Sequence, residues 1–213
     1  ESESRGLGDV YKRQEMNSSG DQFSAYLVTQ GLIDSIKSLQ TNDLLPKNIV
    51  TAIQALLSAE FDLSHNLIRK AVSNLSLTGR QQKLIYRGIP VLLDVAHNPA
   101  AAKVLAGNII HCSGATYAVA SVLSDKDWMG IVSELNDFID DWFIAEISDN
   151  PRAANGQQLL EMVYTSDEKG VCYASIEEAF LQAIAGATSD DKVVVFGSFH
   201  TVSTVLAFIE REG

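Results

Sequence analysis

Phosphate-binding glycine loops, disulfide frameworks and long apolar runs are all missing from this chain, and each absence narrows what it does. No G-x-x-x-x-G-K-[ST] string occurs, so the chain carries no P-loop lysine or Mg²⁺-binding hydroxyl. No G-x-S-x-G string occurs either, which argues against reading Ser198 and His200 as a hydrolase nucleophile and base. Cysteine is scarce: Cys112 and Cys172 lie in separate segments without metal-ligand spacing, and a reduced, cytoplasmic protein is the expectation. No apolar run is long enough to cross a bilayer, and no secretory pattern opens the chain. Cations are outnumbered, with 16 Lys and Arg against 27 Asp and Glu and a formal net charge of −11. Nucleic acid and anionic membranes are therefore poor partners, since both would be repelled over most of the surface. An anionic ligand has to be met by local positive groups.

What is present is apolar material for a core. Hydrophobic residues make up 46% of the 213, enough for one core, or one core and a smaller subdomain. Residues 1–14 lack a periodic apolar pattern and read like a translated adapter, so native sequence is expected from near Glu15 or Met16. Phe23 to Leu77 reads mostly as helix. Asn48 is a candidate cap for a helix with Ile49, Ala52, Ile53, Leu56 and Leu57 on one face, and Ser64 opens a second with Leu67, Ile68, Ala71, Val72 and Leu75 inward.

From Gln82 onward short apolar runs alternate with helical spacing. Lys83–Tyr86 and Val91–Val95 flank a Gly88 turn and suit an edge hairpin; 117–123, 142–147, 171–174 and 193–196 are further strands. Residues 127–139 carry apolar residues at helical spacing, Ser175-x-x-Glu178 is a capping box, and Val202, Val205, Leu206 and Ile209 mark a terminal helix. This alternation predicts an α/β fold with a mostly parallel, doubly wound, Rossmann-like sheet, bounded near Gly79-Arg80.

The most telling string is Leu92-Leu93-Asp94-Val95-Ala96-His97-Asn98-Pro99, where a strand ends in an acid, an imidazole and an amide ahead of a helix. Polar groups so placed face the crevice beyond the carboxyl ends of an open α/β sheet. Each also has a purely structural alternative: Asp94 or Asn98 as helix cap with Pro99 as first helical residue, and His97 as a satisfied core histidine. Arg152 follows a predicted strand and is a candidate anion contact. Asp149-Asn150-Pro151-Arg152 also reads simply as a turn, and Asp125 and Asp127 as helix-start acids. Ser198 and His200 follow the last strand.

With Gly79-Arg80-Gln81-Gln82, Ser124-Asp125-Lys126-Asp127 and Gly197-Ser198-Phe199-His200-Thr201-Val202, the D-x-A-H-N-P string resembles the C-terminal domain of the ATP-dependent Mur ligase family. The resemblance runs from about Leu44 to the C-terminus and is nearest to the branch that joins glutamate to dihydropteroate or folate. It implies ATP with Mg²⁺, L-glutamate and a dihydropteroate or folate as ligands. It implies ATP contacts at Arg80, Asp94 and Asn98, glutamate contacts at His97 and Ser198, and a cleft lined by Lys126, Arg152 and His200. No catalytic residue or metal ligand is assigned in the segment; the metal is expected in a central ATPase domain.

The chain departs from the usual P-G-R-F/Y-Q pattern at Thr78 and Gln81, losing a proline and an aromatic contact. Residues 15–78 are then expected to be a loosely anchored helical remnant of the central domain with an exposed apolar face, and 79–213 the glutamate ligase domain. A monomer without ligase activity by itself is expected. A cell-wall Mur ligase segment, or a stand-alone nucleotide-binding module without catalytic duty, are the alternatives.

Overall fold

The computed structural model describes residues 15–16, 22–29, 32–40, 44–109, 114–148, 150–163 and 170–212. The adapter-like residues 1–14, Cys112 and Asp149 lie outside the described residues. Contacts divide the chain between Leu77 and Thr78.

In the first unit, β1 (Glu15–Met16), β2 (Gln22–Thr29) and β3 (Leu32–Gln40) form an antiparallel sheet, followed by α1 (Pro46–Ser58) and α2 (His65–Ser73). The helical expectation for 23–40 is thus corrected, and the unit is no purely helical remnant. Phe23, Ala25 and Leu27 alternate inward along β2, the two-residue period of a half-buried strand. The deceptive spacing lies in β3. Its register slips, Phe23 facing Leu39 but Ala25 facing Ile36, and Ser38 sits at φ 59° in the bulge. Ile36 and Leu39 are three apart, as on a helix, yet both point inward because the bulge adds a residue.

Nor are the helices loosely anchored. Ile49, Val50 and Ile53 of α1 and Ile68 and Val72 of α2 form one core with the buried strand residues. The Gln54 carboxamide pairs with the Val28 backbone, accepting from its N–H at 2.8 Å and donating to its C=O at 2.7 Å. The buried faces are narrower than the spacing suggests: Ala52, Leu56, Ala71 and Leu75 are exposed. Pro46, not a side-chain cap at Asn48, begins α1, while Ser64 does cap α2 through the Leu67 amide.

The second unit is the expected α/β sandwich. It contains β4 (Gln82–Tyr86), β5 (Ile89–Asp94), α3 (Pro99–Ile109), β6 (Thr116–Ala120), α4 (Trp128–Leu135), β7 (Asp141–Ala145), α5 (Gly156–Val163), β8 (Val171–Tyr173), α6 (Ile176–Gly186), β9 (Lys192–Phe196) and α7 (Phe199–Glu212). The sheet order is β4-β5-β9-β6-β7-β8; β4 pairs antiparallel with β5 and the remaining strands are parallel. Helices α3, α4 and α5 pack on one face over Leu92, Val194, Ala118 and Ile144. Helices α6 and α7 cover the other over Leu93, Val195, Val119 and Ala145. Strands buried on both faces read as continuous apolar runs, which is why β5 and β9 were legible.

Caps fix where the helices start. Asp127 accepts the Gly130 amide at 2.9 Å, and Ser175 accepts that of Glu178 at 3.1 Å while Glu178 reaches back to the Ala174 amide at 3.2 Å. The strands expected over 117–123 and 142–147 stop early, at Ala120 and Ala145, releasing the residues that follow into loops at the carboxyl edge. One turn requires glycine. Gly197 has φ 114°, and a Cβ there would lie 2.3 Å from the Ser121 carbonyl oxygen.

Gly197→Ala is therefore expected to destabilise the second unit by about 2 kcal/mol or more. Both tryptophans, Trp128 and Trp142, lie in that unit's core, so urea unfolding followed by tryptophan fluorescence reads it selectively. An unchanged midpoint would show that the turn relaxes without cost.

Candidate functional site

The carboxyl ends of the parallel strands are level. Asp94 of β5 pairs with Phe196 of β9, which pairs on its other side with Ala120 of β6. The loops after β5, β9, β6 and β7 therefore emerge on one edge. They carry Asp94, His97 and Asn98; Ser198 and His200; Lys126; and Arg152. The insertion of β9 between β5 and β6 sets side by side residues about one hundred apart in sequence.

Asp94 is 5% exposed, yet it caps nothing on α3. Its Oδ2 accepts the Gln81 backbone N–H at 3.0 Å. Burial pushes the Asp94 carboxyl above its ordinary value of 3.8; the Gln81 and Ala96 backbone N–H groups and the Arg80 charge pull the other way. The cap of α3 is Asn98, whose Oδ1 accepts the Ala101 N–H at 2.9 Å. That settles the alternative left open between the two residues, and leaves the buried carboxylate for another purpose.

His97 is half-buried with Nδ1 2.8 Å from the Val95 carbonyl oxygen. A carbonyl only accepts, so Nδ1 carries a hydrogen, and a ring whose one hydrogen sits there presents Nε2 as an acceptor. Arg80 is half-buried just before β4, its guanidinium 5.9 Å from the centroid of the Phe199 ring. Phe199, at the start of α7, is 63% exposed. Its role as a rest for Arg80 was missed in the sequence, since nothing short of the β5–β9 pairing brings the two together.

Ser198 is 6% exposed and occupied. Its Oγ accepts the Thr201 N–H at 3.0 Å and lies 2.7 Å from Thr201 Oγ1, which donates to the Ser121 carbonyl at 2.8 Å. Thr201 thus spends its one hydroxyl proton on Ser121, so Ser198 donates to Thr201. Ser198 closes the first turn of α7 onto β6 and has no proton left for a ligand in this arrangement.

On the β6 and β7 side, Asp125 binds two cations, Lys126 Nζ at 2.8 Å and Arg152 Nη2 at 2.7 Å. The Lys126 bond first, then that of Arg152, hold its carboxyl down to about 2. Asn150 lies 3.3 Å from His200 Nε2 and accepts the Arg152 N–H at 2.9 Å. The site residues thus fall into two groups, Arg80, Asp94 and His97 beside β5, and Lys126, Arg152 and His200 beside β6 and β7. A cleft of about 470 Å³ runs beside Lys126, lined by Trp128, Met129, Ala153, Gln158 and Met162 among others.

Sequence reasoning treated Gln81 only as a missing aromatic. It is 7% exposed at φ 50°, and its carboxamide Oε1 is buried without a partner. An unsatisfied buried carbonyl costs about 1–3 kcal/mol. Among the described residues no group of three or more His, Cys, Asp or Glu is arranged to hold a metal ion.

Comparisons place this geometry among known proteins. The profile described as Mur ligase, glutamate ligase domain matches residues 79–199. The dihydrofolate synthase/folylpolyglutamate synthase of Escherichia coli (strain K12) is 37% identical over 165 residues, covering 76% of this chain and 38% of that protein. Its counterpart in Haemophilus influenzae is 31% identical over 184 residues, covering 76% and 42%. Among solved structures, E. coli FolC in complex with DHPP and ADP has a TM-score of 0.78 at 30% identity, covering 93% of this chain and 46% of that one. A bifunctional folylpolyglutamate synthase/dihydrofolate synthase with Mn, AMPPNP and L-glutamate bound has a TM-score of 0.75 at 31% identity, covering 88% and 46%. The chain spans about two-fifths of the length of these curated relatives.

Asp94 makes stability depend on pH in a definite direction. Its folded value lies above 3.8, so the protonated form favours folding and stability falls as pH rises through the folded value. Asp94→Asn is expected to flatten that fall in the second unit as pH rises above 3.8. Urea midpoints by tryptophan fluorescence across this range check it, and identical pH profiles for variant and wild type would refute the assignment.

Proposed function

This chain belongs to the Mur ligase family, matched through its glutamate ligase domain, and on that premise we propose that it is the glutamate-ligase portion of an ATP-dependent enzyme adding L-glutamate to dihydropteroate or folate. The carrying observation is the level carboxyl edge, where the Asp94–His97 loop and the first turn of α7 stand beside each other. It agrees with the ligands named for related structures, DHPP and ADP in one and AMPPNP, Mn and L-glutamate in another.

In the proposed reaction the substrate carboxylate attacks the terminal phosphorus of ATP, giving an acyl phosphate and ADP. The glutamate amine, after losing a proton, attacks the acyl carbon; the C–N bond forms, the C–O bond breaks and phosphate departs. Arg80, permanently charged and planar, suits the phosphates, and the Asp94 carboxylate suits a ribose hydroxyl. His97 Nε2 is an acceptor that suits the glutamate ammonium. Arg152 and Lys126 suit its carboxylates once they exchange partners with Asp125. Asn98 and Ser198 act by holding the α3 and α7 turns, and His200 acts through Asn150. Mg²⁺ is the divalent ion we expect with ATP; no set of residues in the described segment is arranged to hold it, and no step is assigned to it.

Without a P-loop, the purified 213-residue chain is expected to form no amide from ATP, glutamate and dihydropteroate. Glutamate incorporation by this chain alone would overturn that. In a ligase carrying this segment, His97→Ala should raise KM for glutamate about 10-fold or more with KM for ATP nearly unchanged, and Arg80→Ala should do the reverse. Equal effects on both substrates would remove the division of labour. Loss of activity toward folates but not toward a cell-wall precursor would favour the other branch of the family.

A further inference from the structure

Phe199 is an apolar side chain left outside the core. It is the first residue of α7 and is 63% exposed, and it joins neither buried cluster of the second unit, although Val202, Val205 and Phe208 of the same helix do. One exposed ring is ordinary by itself. What sets this one apart is its neighbour: the Arg80 guanidinium carbon lies over the ring, 5.9 Å from its centroid.

Both residues are held from their backbones. Gly79, at φ 70°, brings the chain so close to α7 that a Cβ would lie 2.9 Å from Val202 Cγ1, and its carbonyl accepts the Val95 N–H at 2.8 Å. On the other side of Arg80, the Gln81 N–H donates to Asp94 at 3.0 Å. Phe199 sits in a turn that Ser198 caps and that Thr201 ties to the Ser121 carbonyl. With both backbones fixed, the side-chain contact decides only where the guanidinium points. Among the described residues Arg80 forms no ion pair. That difference matters, because a carboxylate partner spends two N–H donors of the fork, whereas a ring attracts the charge without taking that pair.

We propose that Phe199 is a positioning residue for Arg80: its ring draws the guanidinium to the α7 turn and leaves the N–H donors of the fork for the oxygens of an anionic ligand. This rests on the reading that Arg80 meets the phosphates of ATP. Without the ring, the long arginine side chain samples several rotamers, and the ligand has to order it on binding. The consequence is confined to phosphate affinity, since the ring carries no group that gives or takes a proton.

In the full 213-residue chain, the Phe199 ring current should displace the Arg80 Nε–Hε resonance. Phe199→Leu is expected to return that resonance toward its random-coil position, and Phe199→Tyr to keep it displaced. Urea midpoints of the second unit should change little in either variant, because the ring lies outside the core. An unmoved Arg80 resonance in folded Phe199→Leu overturns the proposal. Should that variant not fold, nuclear Overhauser contacts between the Phe199 ring and the Arg80 side chain in the wild-type chain read the same pair; they are expected, and their absence overturns the proposal.

In a ligase carrying this segment, Phe199→Leu should raise KM for ATP about 2- to 5-fold, with KM for glutamate and kcat at saturation unchanged, and Phe199→Tyr should restore it. Placed on Arg80→Ala, the same substitution should add nothing. A further rise there overturns the proposal, since the ring then acts on the ligand directly, and so does a wild-type KM for ATP in Phe199→Leu when Arg80→Ala raises it. Should Arg80→Ala itself leave KM for ATP unchanged, the phosphate reading fails, whereas the NMR resonance judges the ring contact by itself.

Discussion

The site depends on the last strand of the chain sliding between two earlier ones. β9 pairs with β5 on one side and β6 on the other, and those pairings level Asp94, Phe196 and Ala120. Without them the D-x-A-H-N-P loop and the α7 turn would have no reason to be neighbours. The turn leaving β9 is correspondingly tight: Gly197 approaches the Ser121 backbone, and Thr201 bonds the same Ser121 carbonyl from the first turn of α7. One carbonyl thus fixes both the end of the strand and the start of the helix. Burial of β9 on both faces, by Val194 on one and Val193 and Val195 on the other, drives the insertion.

Electrostatics on this edge run against the character of the whole chain. A net charge of −11 repels anions in general, yet Arg80, Lys126 and Arg152 are gathered at the carboxyl edge. Each is restrained without being neutralised by a deeply buried partner: Arg80 rests against the Phe199 ring, and Lys126 and Arg152 share the single carboxylate of Asp125. Asp127 of the same loop offsets the second cation, and exposed pairs of this kind exchange partners readily because water screens them. Against an acidic exterior, cations gathered beside matching acids at one edge favour ligands that reach the crevice and contact them closely.

Much of the second unit was legible because its signals were redundant. β5 and β9 are unbroken apolar runs, α4 and α6 begin at residues that cap them, and the β4–β5 hairpin has a glycine turn. The first unit was not. The β3 bulge placed Ile36 and Leu39 at helical spacing on a strand, and periodicity has no means of seeing an extra residue in a ladder. Helix α5 was not singled out, although Asn155 caps it by accepting the Gln158 N–H at 3.0 Å, since its inward residues, Leu159, Leu160 and Val163, sit in a segment of only eight residues. Gln81 shows the limit at the site itself: its type was visible and even marked as unusual, but its meaning lay in a bond to a residue thirteen positions away.

The sequence by itself determined the alternation of strand and helix, the order of the motifs and the chemical types available at the site: an acid, an imidazole, an amide and three cations. These are local properties, set by side-chain period, turn residues and charge. Tertiary structure alone decided which of them are engaged. It made Asn98 the cap and freed Asp94, turned His97 so that Nε2 is the acceptor, spent the Ser198 proton on Thr201, and gave Asp94 to Gln81. Each of these outcomes rests on which donors and acceptors strand pairing brings within about 3 Å, and a hydrogen bond of that length has no counterpart in the spacing of residues along a chain.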